Sequence, residues 1–404
     1  MYIEREIEHA LKSYLAQFKC VLVTGARQTG KTTMLRHVLG DDYAYVTLDD
    51  LNELDSALEN PGTFLDSTSV PIIIDEVQLA PVLFRQAKLV VDRAEKCGQI
   101  VLTGSQTYNL MQGVGESLAG RVGILELGGL SLRELAGNRS NAPYVPRKLP
   151  RGECPKAPGD FDLWAHIQRG SMPRLAEPDV DWHAFYSSYV RTYLERDVRQ
   201  IVNLRDQRKF RKFMVAAAAR TGQLLNASDI AGDIGADVKT VQGWISVLEA
   251  SGVVCILQPF WANTGKRLAK TAKLYFMDTG LACHLTGWNT PEQLKKGAMA
   301  GHMFETFVVS EVLKSHANAG RDLRSIYFYR DSRKREIDLV IQDGRVLHPV
   351  EVKMGANPRA DAAANFACLE DLAGYEVGFG HIVCQTESPY IVAGGVQAVP
   401  VWAI

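Results

Sequence analysis

Several groups of residues in this 404-residue chain have the types and spacing to do chemistry. The first is Gly25-Ala26-Arg27-Gln28-Thr29-Gly30-Lys31-Thr32-Thr33, which follows the apolar run Cys20 to Val23 and precedes a helical pattern carrying Met34, Leu35, Val38 and Leu39. Its glycines let the backbone curl so that successive N–H groups, with the positive end of the following helix, surround a polyanion. There Lys31 would neutralise terminal phosphate charge and the Thr32 hydroxyl would ligate Mg2+. The second is Asp75-Glu76, which closes the run Val70-Pro-Ile-Ile-Ile. Asp75 is placed to hold the metal through its water shell, and Glu76 to orient and deprotonate the water that attacks the γ-phosphate of ATP. Another apolar run, Gln99 to Thr103, leads to Ser105-Gln106, small polar groups suited to sensing a γ-phosphate, with a plain polar turn as the alternative. Arg121 could act as an arginine finger on a neighbouring subunit; a surface arginine is the other reading.

The last group lies near the C-terminus. Arg333-Lys-Arg-Glu-Ile-Asp338-Leu-Val-Ile341 is followed by Asp-Gly and by a second apolar run ending in Glu351-Val-Lys353. Side chains two apart on a strand share a face, and a hairpin through Asp-Gly brings Asp338 beside Glu351 and Lys353. Asp338 and Glu351 are hard oxygen ligands for Mg2+ or Mn2+, and Lys353 would orient a water or stabilise phosphoryl charge, the needs of phosphodiester hydrolysis. Glu305, on the helix before these strands, could complete the metal shell. Ordinary alternation of wet and dry faces accounts for the pattern but not for three charges that converge.

The elements that must position these groups follow from pattern and length. The chain is longer than a single core usually supports, so two or three domains are expected. Continuous apolar strands ending in motifs, with helices between them, imply a doubly wound α/β domain over residues 1–135. Residues 136–160, GNRSNAPYVPRKLPRGECPKAPGD in large part, read as a linker rich in Pro, Gly and basic residues, and 161–210 as a helical connector whose Glu195, Arg196 and Asp197 either dock on the first domain or form a solvated face. Over 211–262 a helix from Phe213, a second capped by Ser228, a third from Asp237 and a strand from Val253 read as a winged helix. Lys239, Thr240 and Gln242 would face a groove, with Lys266, Arg267, Lys270 and Lys273 giving phosphate contacts from the wing. Residues 263–404 add an amphipathic helix from Gly301, three strands, a helix and the strand from His381.

Composition bounds the partners. A net charge of −1, from 45 basic and 46 acidic residues, gives no global basic field, so nucleic-acid binding needs a local patch. The 7 cysteines are scattered without a CxxC pair, against a disulfide framework or zinc site and consistent with a reducing cytoplasm. No signal-peptide core or membrane-length apolar run is seen, so a cytoplasmic protein without a membrane span is expected.

The segments GARQTGKTT, IIIDEVQ, LTGSQ and ESLAGRVGILEL resemble the N-terminal domain of a prokaryotic AAA+ family ATPase, and YLERDV and LYFMDTGLACHL extend the likeness over nearly the whole chain. The resemblance implies a P-loop AAA+ domain with a parallel sheet, joined to a C-terminal domain of unknown function. Asp338, Glu351-x-Lys353 and Glu305 are similar to the PD-(D/E)xK nucleases, with Ile337 where the motif's proline would stand, which implies a restriction-endonuclease-like α/β domain. The expectation is an ATP-hydrolysing DNA-processing protein that couples this ATPase to a metal-dependent nuclease and acts as a homo-oligomeric ring. The alternative is an ATP-switched DNA- or protein-binding regulator whose nuclease fold is silent.

Overall fold

The computed structural model describes residues 2–68, 70–105, 118–138, 140–150, 153–155, 157, 159, 161–194, 207–261 and 271–404. Gln106, Ser117, Glu195, Arg196, Asp197, Lys266, Arg267 and Lys270 lie outside them.

The N-terminal sheet is built from runs that bury both faces. Strands β1 (Cys20–Thr24), β2 (Ala44–Thr47), β3 (Ile72–Asp75), β4 (Ile100–Thr103) and β5 (Val122–Glu126) pair in parallel in the order β2-β3-β4-β1-β5. Alternate residues sort to opposite cores. Cys20, Leu22, Ile72, Ile74, Ile100 and Leu102 meet the helix Leu83–Arg93 through Leu83, Phe84 and Ala87, whereas Val21, Val23, Ile73 and Val101 meet helices α1 (Ile7–Gln17) and α2 (Lys31–Leu39). This two-sided cover explains why the strands read as unbroken apolar runs.

A helical middle region follows. Helices Leu163–Arg169 and Trp182–Tyr189 precede Gln207–Ala218, the short strand β6 (Gln223–Leu224), Ala227–Ile234, Val238–Ala250, and strands β7 (Val254–Leu257) and β8 (Lys273–Phe276). The sheet order is β6-β8-β7, so β8 pairs with β7 across the boundary expected at 262. Asn226, not Ser228, caps its helix, accepting the N–H groups of Ser228 and Asp229. Asp237 caps the next helix through the N–H of Thr240, as its position suggests.

The C-terminal domain has a mixed sheet in the order β14-β15-β13-β11-β10-β9, with β12 (Glu376–Val377) beside β11. Its strands are β9 (Ile326–Arg330), β10 (Glu336–Asp343), β11 (Val346–Val352), β13 (Gly380–Cys384), β14 (Tyr390–Ala393) and β15 (Val396–Pro400). The hairpin between β10 and β11 turns at Gly344, whose φ of +61° favours glycine. The pairing of β10 with β9 shifts register between Ile337 and Val340, a bulge that contains Asp338. Such an irregularity re-aims a side chain, and here it allows Ile337 and Val340 to enter the same core.

The long helix Ala300–Asn318 is wedged between domains. The amphipathic helix expected there instead buries Glu311, Lys314, Ser315, His316 and Asn318 as well as its apolar residues. Glu311 accepts the N–H of Leu132, and Lys314 donates to the Leu130 carbonyl, so the polar face is used against the N-terminal domain. The stretch read as a linker is tied down where it is described. Tyr144 receives its partners from Ser315 and His381, and Leu149 exchanges both backbone hydrogen bonds with Gln397. No helix among the described residues is long and apolar enough to cross a membrane.

Candidate functional sites

The phosphate-binding loop joins β1 to α2. Gly25 has φ +140°, and a Cβ there would stand 2.2 Å from the Leu127 carbonyl oxygen, so no larger residue fits against that strand end. Gly30 has φ +89° and Gln28 φ 63°, turns that aim the loop's N–H groups inward. Lys31 Nζ donates to the Gly25 and Ala26 carbonyls, each at 2.9 Å, and Thr29 Oγ1 donates to the Ala26 carbonyl. The buried ammonium thus lies over the cradle where phosphate oxygens would displace the carbonyls.

The strand ends complete the site. Thr32 Oγ1 donates to Asp75 Oδ2 at 2.7 Å, joining the two residues expected to hold Mg2+. Tyr45 reaches the same oxygen at 3.0 Å, a partner that sequence distance concealed. Glu76 has a left-handed backbone, φ 55° and ψ 40°, and accepts a hydrogen bond from Gln78 Nε2. Burial pushes the Glu76 carboxyl above its ordinary value; Gln78, Lys31 and Arg27 oppose that shift, and Asp75 adds to it. Because β4 runs between β3 and β1, Ser105 stands between the acids and the loop. Ser105 Oγ and Thr103 Oγ1 are buried without a hydrogen-bond partner among the described residues. A glycine cradle, a cation, a Thr–Asp pair and unsatisfied hydroxyls fit a magnesium-bound nucleoside triphosphate.

A cleft beside the loop supplies residues that motif reasoning missed. Thr33 and Gln28 share it with Tyr2, Ile3, Leu130, Pro173 and Arg174. Its apolar groups, Ile3, Leu130 and Pro173, stand among polar ones that include Arg5 and the paired Arg174 and Glu177, a mixed lining that suits a base and sugar next to the phosphates. The floor is anchored by Arg5, whose guanidinium bonds Glu134 Oε1 at 2.9 Å and donates to the carbonyls of Thr29, Gly128 and Gly129. Arg121 stands elsewhere. It precedes β5, level with Cys20 at the end of β1 opposite the loop, and pairs with Asp92 at 2.6 Å.

The second site forms where β10 and β11 part. Leu339 pairs with Val350, which leaves Asp338 and Glu351 at the open end. Asp338 Oδ2 accepts the N–H of Val352 at 2.8 Å, and Lys353 Nζ donates to Glu351 Oε1 at 2.6 Å. The expected trio therefore converges. Two further groups join it: Glu336, from the start of β10, and Lys273, from β8 of the middle region. Lys273 Nζ lies 2.6 Å from Glu336 Oε1, 2.9 Å from Glu305 Oε1 and 3.8 Å from Asp338 Oδ1. Tyr275 also donates to Glu305 Oε1, at 2.6 Å. The expectation that Lys273 is a phosphate contact on the wing fails, because its side chain is only 4% exposed and faces the carboxylates.

The electrostatics follow from burial. Burial pulls the Lys273 ammonium down, but Glu305, Asp338 and Glu336 outweigh it and hold the group above the usual lysine range, so it stays charged. Burial, reinforced by Glu305, pushes the Asp338 carboxyl up. Burial and Asp338 do the same to Glu351, against the pull of Lys353. Glu351 Oε2 is buried without a partner among the described residues, an acceptor that a cation could use. Glu305 and Glu336 instead serve Lys273, and no three His, Cys, Asp or Glu side chains among the described residues converge as a metal shell. This arrangement fits an ammonium and does not fit the divalent ion expected there.

In the middle region, Lys239 and Gln242 are exposed and Thr240 half-exposed on the helix Val238–Ala250. Where the described residues resume, Gln207–Ala218 is already helical, so the six residues before the expected Phe213 belong to this helix, among them Arg208, Lys209, Arg211 and Lys212. Phe210 and Phe213 of that helix pack on Trp244. The run QRKFRKF, two aromatics three apart among basic residues, was the signal for it.

Comparison with known proteins divides the chain in three. Residues 17–136 match the AAA domain family, 160–292 match a domain of unknown function (DUF8612), and 300–404 match another (DUF4143). An uncharacterized protein of Mycobacterium tuberculosis is 29% identical over 374 residues, spanning 92% of this chain and 78% of its own length. An uncharacterized protein of Mycobacterium bovis gives the same values. Among solved structures, a Walker-type ATPase of Pyrococcus abyssi aligns with a TM-score of 0.43 at 14% identity, covering 69% of this chain and 94% of its own. The RuvB Holliday junction branch migration motor of Thermotoga maritima aligns with a TM-score of 0.28 at 16% identity, covering 62% and 88%. The N-terminal domain is a P-loop ATPase domain of the AAA type.

Proposed function

We propose that this chain is an ATP-switched nucleic-acid-binding protein whose C-terminal domain is a nuclease-like fold held silent. The carrying observation is the Lys273 ammonium among Glu305, Glu336 and Asp338, where catalysis of phosphodiester cleavage would need a divalent ion.

The ATPase half follows from its residues. The loop N–H groups and Lys31 bind the phosphates, and Thr32 and Asp75 would hold Mg2+, which when bound neutralises phosphate charge. Glu76, half-buried and steered by Gln78, takes the proton of the attacking water. Ser105, whose hydroxyl has no partner among the described residues, offers it to the γ-phosphate. Arg121 lies at the wrong end of the sheet to reach its own nucleotide, so we place it on a neighbour's, in a homo-oligomeric ring.

The nucleic-acid half rests on helix order and exposed charge. Three helices and the β6-β8-β7 sheet succeed one another as in a winged helix, with Lys239 and Gln242 exposed near the start of the third. The basic turn from Arg208 to Lys212 adds phosphate contacts, which position a duplex rather than read it. DNA is the partner we favour. Fluorescence anisotropy with labelled duplex DNA should show retention that changes with ATP and is insensitive to ATP in Lys31→Ala, while light scattering with ATP shows an oligomer. Absence of binding in every nucleotide state would remove the DNA partner, and a monomer with ATP would remove the role of Arg121.

The nuclease reading retains specific support: Asp338, Glu351 and Lys353 converge at the parting of β10 and β11, and Glu351 Oε2 has no partner among the described residues. It requires Lys273 to leave the cluster.

A further inference from the structure

We propose that Lys273 is the resident cation of the C-terminal carboxylate cluster, a tethered substitute for a divalent metal ion, and that its removal turns the cluster into a divalent-cation site. The inference rests on the silent-fold reading and deepens it.

The carboxylates come from three elements of the C-terminal domain, Glu305 on the long helix, Glu336 and Asp338 on β10 and Glu351 on β11. The cation comes from outside that domain, on β8, a strand hydrogen-bonded to β7 and β6. Four carboxylates with no positive charge beside them would be prohibitively costly to bury. The cluster meets this cost with protein cations: Lys273, Lys353 on Glu351, and Arg330 on Glu336 at 2.7 Å. With the acids ionised, four negative charges against three positive leave one. A divalent ion added to this set would overshoot neutrality and would sit against the Lys273 ammonium. Without Lys273 the deficit is two, the charge of Mg2+ or Mn2+, and Glu305, Glu336 and Asp338 lose the donor they share.

Covalent attachment gives the lysine an advantage over any free ion, because its translational freedom is already lost on folding. The ammonium is also packed, 5.6 Å above the Phe328 ring and 6.0 Å from that of Tyr275, so the aromatic faces add to its retention. The contact also ties the middle region to the C-terminal domain, since Lys273 on β8 pairs with Glu305 and Glu336 of that domain.

Electron paramagnetic resonance of Mn2+ mixed with the nucleotide-free full chain tests this. The wild type is expected to leave the free Mn2+ signal unaffected by Glu351→Gln, whereas Lys273→Met gains one Mn2+ site at least about tenfold tighter, lost again in Lys273→Met/Glu351→Gln. Lys273→Gln, neutral yet able to hydrogen-bond, reads the same site if the methionine variant does not fold. A wild-type Mn2+ site abolished by Glu351→Gln would overturn the proposal, as would a folded, ATP-hydrolysing Lys273 variant that gains none. Mn2+ loading of the wild type without DNA cleavage would remove the lysine's role alone, whereas cleavage would remove the silent-fold reading.

Discussion

Glu76→Gln is expected to lower ATP turnover roughly 10²–10⁴-fold while leaving nucleotide affinity nearly unchanged, because it removes a general base and keeps its shape. The structure gives three reasons to expect the effect at this residue rather than at its neighbour. Asp75 is committed to Thr32 and Tyr45 through one oxygen, with the other accepting the Glu76 N–H at 3.1 Å. Glu76 is turned by its left-handed backbone and held by Gln78, not by a cation. Burial raises its pKa, which strengthens it as a base at neutral pH. A companion change separates orientation from mere presence. The Gln78 hydrogen bond favours the ionised carboxylate, so Gln78→Leu should raise the Glu76 pKa further and move the acid limb of the kcat profile to higher pH. Phosphate release measured across pH, with nucleotide titration by fluorescence, checks both. Full turnover in Glu76→Gln would place the base elsewhere.

Arg5→Ala carries the largest expected stability effect. The guanidinium is buried, pairs with the equally buried Glu134, and donates to three backbone carbonyls, one of them Thr29 of the phosphate loop. Removing one partner of a buried pair leaves the other charge uncompensated, a loss of about 3–5 kcal/mol. Glu134 would keep hydrogen bonds from the Glu6 and Ser131 N–H groups, which places the effect toward the lower part of that range. Because Arg5 also fixes the floor of the cleft beside the loop, nucleotide affinity should fall together with Tm. Arg5→Lys should recover little, since an ammonium cannot span Glu134 and three carbonyls as the planar fork does. Thermal unfolding with and without ATP checks this, and an unchanged Tm in Arg5→Ala would show that the pair does not hold the N-terminal segment.

The motifs that bind phosphate were legible because their chemistry is local. A glycine loop between strand and helix, and two acids after an apolar run, each specify their own backbone, and the fold only has to set them on neighbouring strands. The Asp338–Glu351–Lys353 trio was legible for the same reason, through strand alternation and an Asp-Gly turn. What escaped was non-local. Lys273 lies 65 residues before Asp338 in the chain and resembled the other basic residues around it, so charge pattern alone assigned it to the wing. The bulge that contains Asp338 shows in no periodicity, since it arises from pairing with β9. Likewise Ala300–Asn318 reads only as an amphipathic helix, and the use of its polar residues comes from the N-terminal domain and the stretch around Tyr144 packing on them. Arg5 and Tyr45 belong to no motif, and only the approach of the N-terminal segment and of β2 gives them their partners.

One assay bears most directly on the silent-fold account: end-labelled single- and double-stranded DNA incubated with the wild type, ATP and Mg2+ or Mn2+, with phosphate release and strand integrity followed in the same tube. The account predicts steady ATP hydrolysis with every strand intact. Strand cleavage by the wild type that disappears in Lys353→Ala while ATP hydrolysis continues would contradict it, and would show that Lys273 yields its place to a metal ion.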